Sequence, residues 1–350
     1  MARRFSVGLV VGKFAPLHQG HLLVIERALE ECERTIVLSY SNPEFAGYEP
    51  ERREAWLAAC CPAATSLVLT RERLAGRLGT DAAALPRNDA PDDVHRDFVA
   101  MICTRVLDAR VDAVFTSEAY GEGFARRLTR RLRELDPAAR EVTHVSVDRE
   151  RRAVPISATE IRADLWRHWR FLPLPVARSL VRRVTFLGGE SSGKSVLAAR
   201  LARDLECPCV AEFGRELWEA RRGKLVFEDL AHIAREQMRR EDEAVREARH
   251  FVFCDTSPLT TLFYSLDLFG RADSDLIAAA DRAYHSTVLC APDFPFIQDG
   301  TRRDHAFRMR QHAWYEAQLA ARGVSYVVAT GSLDQRVRQM RDLLGAARGP

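Results

Sequence analysis

The stretch Val184 to Leu201, "VTFLGGESSGKSVLAARL", decides the fold. An apolar run enters a glycine-rich turn, and the chain leaves it with Leu197, Ala198 and Leu201 at helical spacing. This is GxxxxGK[ST] in the strand, turn and helix setting that gives the pattern its meaning. In such a loop the N–H groups of Gly188, Gly189, Glu190, Ser191, Ser192 and Gly193 surround phosphate oxygens. Lys194 then reaches the β- and γ-phosphates, and Ser195 ligates Mg2+. A strand that feeds straight into a helix belongs to a parallel α/β sheet.

Downstream the alternation continues through "CPCVAEF", a long charged helix, "HFVFCDTSP", "STVLCAP" and "SYVVAT". Asp255 closes the third of these runs, either as a metal-holding carboxylate or as a cap for the helix after Pro258. In "AEFGREL", Glu212 is placed to accept a proton from an attacking hydroxyl and Arg215 to hold substrate, unless these two and Glu216 form a surface charge cluster. Arg302, Arg303, Arg308 and Arg310 suit a lid over transferred phosphate, or plain surface. The charged helix, "EDLAHIAREQMRREDEAVREARH", predicts a solvated face with i to i+4 pairs.

Upstream the same alternation appears: "SVGLVVG" then "HLLVIERALEEC", "RTIVLSY" then "PERREAWLAAC", "VDAVFTSE" then "EGFARRLTRRLREL". The chain therefore reads as two parallel-sheet α/β domains, residues 1–174 and 175–350, divided where Pro173 and Pro175 stiffen a short connector. Residues 73–93, rich in Gly, Pro and Asp, predict a loop or insertion. "GKFAPLHQGH" follows the first strand, and the spacing of Leu22, Ile25, Ala28 and Leu29 starts a helix near Gly20 or His21. His18 and His21 thus stand at a helix N-terminus, a place receptive to phosphate. As metal ligands they lack a third partner nearby. "ISATEIR", Ile156 to Arg162, holds a capping box at Ser157 and Glu160, and a capped helix start is also where Ser157, Thr159 and Arg162 can reach triphosphate oxygens.

"HQGH" resembles the HxGH signature of the nucleotidyltransferase superfamily, and "ISATEIR" its downstream ISxTxxR motif, roughly 140 residues later. The junction and second half, "WRHWRFLPLPVARSLVRRVTFLGGESSGKSVL", with "TSE", "EFGRE", "CDT" and "DGTR", resemble the bifunctional nicotinamide-nucleotide (NMN) adenylyltransferase/ribosylnicotinamide kinase family, NadR. The resemblance implies a Rossmann-like nucleotidyltransferase domain followed by a P-loop kinase domain. The kinase would phosphorylate nicotinamide riboside to NMN with ATP and Mg2+. The transferase would join NMN to the adenylyl group of ATP, giving NAD and pyrophosphate. It further implies that Gly12, Lys13, Phe14, His18 and His21 contact nucleotide phosphates, while Ser157, Thr159 and Arg162 hold the leaving group. Substrate would meet Glu118, Asp299, Arg52 or its neighbour Arg53, and Phe296 in place of the family's tryptophan. Helix-turn-helix members of the family start before the first Rossmann-like strand, and this chain begins at it. A phosphopantetheine adenylyltransferase fused to a dephospho-coenzyme A kinase, or a nucleotide sensor without turnover, are the rival readings.

The whole chain sets outer bounds. Its 350 residues suffice for two cores. A net charge of +3, mixed in sign, gives no reason to expect nucleic acid or a membrane surface as partner. No apolar run approaches the roughly 18 residues of a membrane span, so a cytoplasmic enzyme is expected, monomeric or a homo-oligomer. The eight cysteines have neither paired CxxC spacing nor an accompanying histidine pair, and read as reduced, mostly buried thiols.

Overall fold

The three strand-like runs of the first half become β1 (Phe5–Gly12), β2 (Cys32–Tyr40) and β4 (Ala113–Thr116), and two shorter segments add β3 (Thr65–Leu69) and β5 (Thr143–Ser146). In this computed structural model, which describes residues 3–78, 85–118, 120–296 and 303–345, they form one parallel sheet in the order β3-β2-β1-β4-β5. The helices are α1 (Gln19–Glu31), α2 (Pro50–Cys60), α3 (Arg71–Leu78), α4 (Asp92–Met101), α5 (Gly121–Leu135), α6 (Ala158–Ala163) and α7 (Leu174–Leu180). Leu9, Ile36, Leu38 and Val114 of the sheet pack with Phe98 of α4 and Phe124 and Leu128 of α5. β1 and β2 lie so close that a Cβ at Gly8 would come 2.4 Å from Cys32 Sγ.

The second half repeats the plan. β6 (Arg182–Leu187), β7 (Cys209–Val210), β8 (Phe251–Cys254), β9 (Ser286–Cys290) and β10 (Tyr326–Ala329) make a parallel sheet in the order β10-β9-β6-β8-β7. Its helices are α8 (Lys194–Asp204), α9 (Phe213–Ala220), α10 (Phe227–Glu247), α11 (Pro258–Phe269), α12 (Ser274–Ala280), α13 (His305–Ala321) and α14 (Leu333–Leu344). Leu187 and Leu289 meet Leu230 and Ile233 of α10, Leu259 and Leu262 of α11, and Tyr315 of α13. On α10 the expected solvated pairs form between Arg239 and Glu243 and between Arg240 and Glu236.

Contacts divide the chain into two compact units, Met1–Ser179 and Leu180–Pro350. The proline-bearing connector is itself helical, as α7, and the division falls at its end rather than at residue 174. The segment 73–93 is a loop only in part: residues 85–91 have no regular structure, as its composition suggests, residues 79–84 lie outside the described residues, and both ends are helical. Its start continues α3 and its last two residues open α4, where Asp92 and Asp93 sit in the first turn and favour the positive end of the helix dipole. Between them Leu85 is buried and Asn88 is tied to the segment after β2: its Nδ2 donates to Pro43 O (2.7 Å) and its N–H to Asn42 O (2.6 Å). The polar face of α3 and Gly76 within it mask the helical period.

Candidate functional site

β1 is the strand from which the first sheet grows in both directions. In such sheets ligands bind at the carboxyl ends of the strands where the order reverses. A cavity of about 440 Å³ opens there. Gly12, Lys13, Phe14, His18 and His21 line it from the β1 side, Thr116 and Glu118 from the end of β4, and Arg151, Ser157, Thr159 and Arg162 from the second motif. Sequence-distant motifs therefore share one wall-to-wall space.

His18 is the N-cap of α1, one residue earlier than the helical spacing suggests; its Nδ1 accepts from the Gly20 N–H at 3.1 Å. An accepting Nδ1 assigns the ring proton to Nε2, which is left as a donor. The His18 ring stacks on His21, with centroids 3.6 Å apart at 26°, and His21 meets the buried Phe14 edge-on at 5.0 Å. His21 Nδ1 is buried without a hydrogen-bond partner. Burial, reinforced by Arg151, pushes the His18 imidazole down to about 4. Burial, then His18, Arg151 and Arg162, lowers His21 well below the usual range. Both rings are thus neutral donors at neutral pH.

The second motif is bolted to the first. Arg162 Nη1 donates to Ala15 O (2.6 Å) and Nη2 to Thr159 Oγ1 (3.0 Å), while its guanidinium lies 4.2 Å over Phe45. The capping box forms: the Glu160 N–H donates to Ser157 Oγ (3.2 Å), and the Ser157 N–H and hydroxyl donate to Glu160 Oε2 (2.8 and 2.6 Å). Lys13 Nζ reaches Asn88 O at 3.4 Å, and burial followed by Arg162 lowers its pKa.

In the second unit the glycine-rich loop leaves β6 with Gly188 at φ 137°, where a Cβ would come 2.6 Å from Cys290 O, and ends with Gly193 at φ 81° before α8. Lys194 Nζ rests on Gly188 O (2.8 Å) and Gly189 O (3.1 Å). Asp255, at the end of β8, is 7% exposed and hydrogen-bonds the Ser195 hydroxyl, and its Oδ1 is buried with no partner. Burial pushes its carboxyl up to about 6, with Glu212 adding and Ser195, Lys194 and Arg215 opposing. The helix after it is capped by Ser257, not by Asp255. Glu212 occupies the N-cap position of α9 without capping it, and its Oε2 is 3.8 Å from Arg215 Nε. A hydroxyl and a carboxylate with an orphaned oxygen suit a hard cation that keeps waters and phosphate oxygens as its other ligands. Among the described residues no group of three or more His, Cys, Asp or Glu could hold a metal alone.

A family model described as an AAA domain matches residues 183–336. The trifunctional NAD biosynthesis/regulator protein NadR of Salmonella typhimurium is 26% identical over 309 residues, covering 86% of this chain and 72% of that protein. That of Escherichia coli K12 is 26% identical over 315 residues, covering 85% and 72%. The crystal structure of a NadR protein in complex with NAD and AMP-PNP superposes with a TM-score of 0.68 at 20% identity over all of both chains. A NadR complex with NR gives 0.66 at 21% identity, over 100% of this chain and 98% of that one. The chain is a relative of NadR.

Within this NadR-like chain several expected residues lie elsewhere. Arg52 is not among the side chains lining the cavity; Nη1 leans on Gly47 O and Ser179 O (3.4 and 3.5 Å). Arg53 is fully buried, pairing with Glu44 (2.7 Å) and donating to Lys13 O and Ser39 Oγ, so it braces the loop from behind. The Glu190 N–H donates to Gln311 Oε1 (2.9 Å) and its carboxylate accepts from Tyr264 (3.0 Å), so both groups already have protein partners. Glu216 pairs with Arg240. Of the expected lid, Arg308 is fully buried on Phe294 O (2.9 Å), Arg303 pairs with Asp267 and Arg310 lies over Phe307. Phe296 is half-buried, edge-on to His305 at 6.5 Å. Asp299 and Arg302 fall outside the described residues.

Two arginines beside the candidate sites fall outside the motifs. Arg336, fully buried, donates to Ser192 O (2.7 Å) in the glycine-rich loop, to Ala291 O (2.9 Å) and to Gly331 O (3.0 Å), and pairs with Asp293. Arg151 joins Glu118 on the wall of the first cavity. Neither sits in a motif, though the apolar spacing of α14, Val337 and Met340, places Arg336 on its buried side. All eight cysteines are free, and Cys209 is exposed. No described helix is long and apolar enough to cross a membrane.

Proposed function

We propose that the chain carries out two successive steps of NAD synthesis, one in each unit. In the second unit ATP phosphorylates nicotinamide riboside to NMN. In the first, the phosphate of NMN attacks the α-phosphorus of a second ATP, and NAD and pyrophosphate leave. The observation that carries the proposal is the presence of two separate phosphate cradles, each at the carboxyl end of its own parallel sheet, in a chain whose relatives are NadR proteins.

Adenylyl transfer needs no enzyme nucleophile, so the work is alignment and charge stabilisation. His18 Nε2–H and His21 donate to phosphate oxygens without titrating, because burial keeps both neutral. Lys13 adds a cation beside them, and Ser157, Thr159 and Arg162 receive the departing pyrophosphate. In the second unit Glu212 accepts the proton of the ribosyl hydroxyl as that oxygen bonds the γ-phosphorus and the bond to the β,γ-bridging oxygen breaks, releasing ADP; Arg215 orients the nucleoside, and Lys194 follows the transferred group. Ser195 and Asp255 would hold Mg2+, which when bound neutralises phosphate charge.

The test is separation of the half-reactions. Purified Lys194→Ala should lose ADP formation from nicotinamide riboside while retaining NAD formation from NMN, and His21→Ala should do the reverse. A folded variant of either kind that loses both activities, or wild-type protein inert toward both nicotinamide substrates, sinks the proposal.

A further inference from the structure

Arg151 stands on the wall of the first cavity in a conformation that its own loop enforces. Its backbone is left-handed, φ 51°, and its N–H donates to Asp148 O at 2.8 Å. The Asp148 carboxylate fixes the same turn by accepting from the N–H groups of Arg152 (2.8 Å), Ala153 (3.1 Å) and Val154 (3.1 Å). The guanidinium then bridges two parts of the site. Nη1 donates to Ile156 O (2.8 Å), one residue before the Ser157 cap, and Nη2 to Glu118 Oε1 (2.7 Å) at the end of β4. Its field reaches both imidazoles, since it depresses the titration of His18 and of His21.

Stability does not account for this arrangement. The pair is open to water, with side chains 34% and 46% exposed, and such pairs contribute about 0–1 kcal/mol. A guanidinium that lines a phosphate cavity and is held there by a half-exposed carboxylate has a different use: the carboxylate occupies the place of a phosphate oxygen. We infer that Arg151 is a further phosphate-binding residue, gripping the pyrophosphate end of the nucleotide, and that Glu118 acts through it as an internal stand-in that the incoming anion displaces. This rests on the adenylyltransferase reading of the cavity. Glu118 is then a positioning residue and a competitor of phosphate.

The reverse reaction, NAD plus pyrophosphate giving NMN and ATP, reads the site without involving the second unit. Arg151→Ala should raise the KM for pyrophosphate by about tenfold or more, with the KM for NAD little changed, and Arg151→Lys should recover part of the loss because it restores charge but not the planar fork. Glu118→Gln should lower the KM for pyrophosphate, and should have no effect in an Arg151→Ala background. An unchanged KM in Arg151→Ala, or a raised one in Glu118→Gln, overturns the inference while leaving the adenylyltransferase reading intact. If wild-type protein runs no reverse reaction, that reading fails instead. Calorimetric binding of inorganic pyrophosphate to the Lys194→Ala chain then decides Arg151 by itself, the same order of affinities supporting it and equal affinities refuting it.

Discussion

Asp255→Asn isolates the cost of keeping a buried carboxylate ready for a cation. The carboxyl titrates at about 6 in the folded chain against 3.8 ordinarily, a difference of about 2 units. At about 1.36 kcal/mol per unit this is about 3 kcal/mol. The sign follows from proton counts. Between pH 4 and 6 the folded protein keeps a proton that the unfolded chain has released, so the carboxyl erodes stability as pH rises through that window and the loss is complete near pH 7. The asparagine variant does not titrate there, and any fixed penalty for its unpaired amide is the same at every pH. At matched pH, the stability of the variant relative to wild type should therefore climb by about 3 kcal/mol from pH 4 to pH 7. Amide exchange in β8 reports it, Phe253 N–H, bonded to Pro208 O at 3.0 Å, being a suitable probe. Comparing the two proteins at one pH cancels intrinsic exchange rates, and roughly a hundredfold change in relative protection is expected. Mg2+ with a nucleotide at pH 7 should narrow the gap by binding the folded carboxylate. A difference constant across the pH range would refute the argument that burial, rather than the Ser195 hydrogen bond, governs this group.

The remaining expectations are narrower. The pH profile of NAD formation should show no imidazole limb from His18 between pH 5.5 and 8, because that ring protonates only near pH 4; a limb near 6.5 removed by His18→Ala would contradict it. The same substitution removes the α1 cap and should cost about 1 kcal/mol in denaturant unfolding. Arg53→Ala strands Glu44 and two acceptors, Lys13 O and Ser39 Oγ, behind the first loop, and should cost about 3 kcal/mol, seen as a lowered midpoint of the first unit's thermal transition. Gly188→Ala drives a methyl against Cys290 O and should raise the KM for ATP in the kinase step about tenfold or more while circular dichroism stays unchanged.

Features set by neighbouring residues were legible in the sequence. The glycine-rich loop and "HQGH" follow their strands as expected because strand, turn and helix are all written within one short stretch. What long-range packing decides was not. Arg52 and Arg53 differ by one step of helix, about 100°, and only the shared face of Arg53, Trp56 and Leu57 tells which of them is inside; that spacing was present in the sequence and outweighs the motif. Arg308 read as a lid because its basic neighbours suggested surface, whereas Phe307, Gln311 and Tyr315 carry it inward with α13. Arg151 meets the Glu118 carboxylate and Arg336 the Ser192 carbonyl, both distant in the chain, and no local pattern announces such partners.

The tight seam between Gly8 and Cys32 constrains how this protein can drift. A methyl at position 8 would meet not only the Cys32 sulfur but also Phe115 Cε2 at 3.1 Å and Cys32 Cβ at 3.3 Å, so trimming residue 32 relieves only part of the conflict. Positions 8, 32 and 115 are thereby coupled: a side chain added at residue 8 costs most when introduced alone and least when its two neighbours shrink with it.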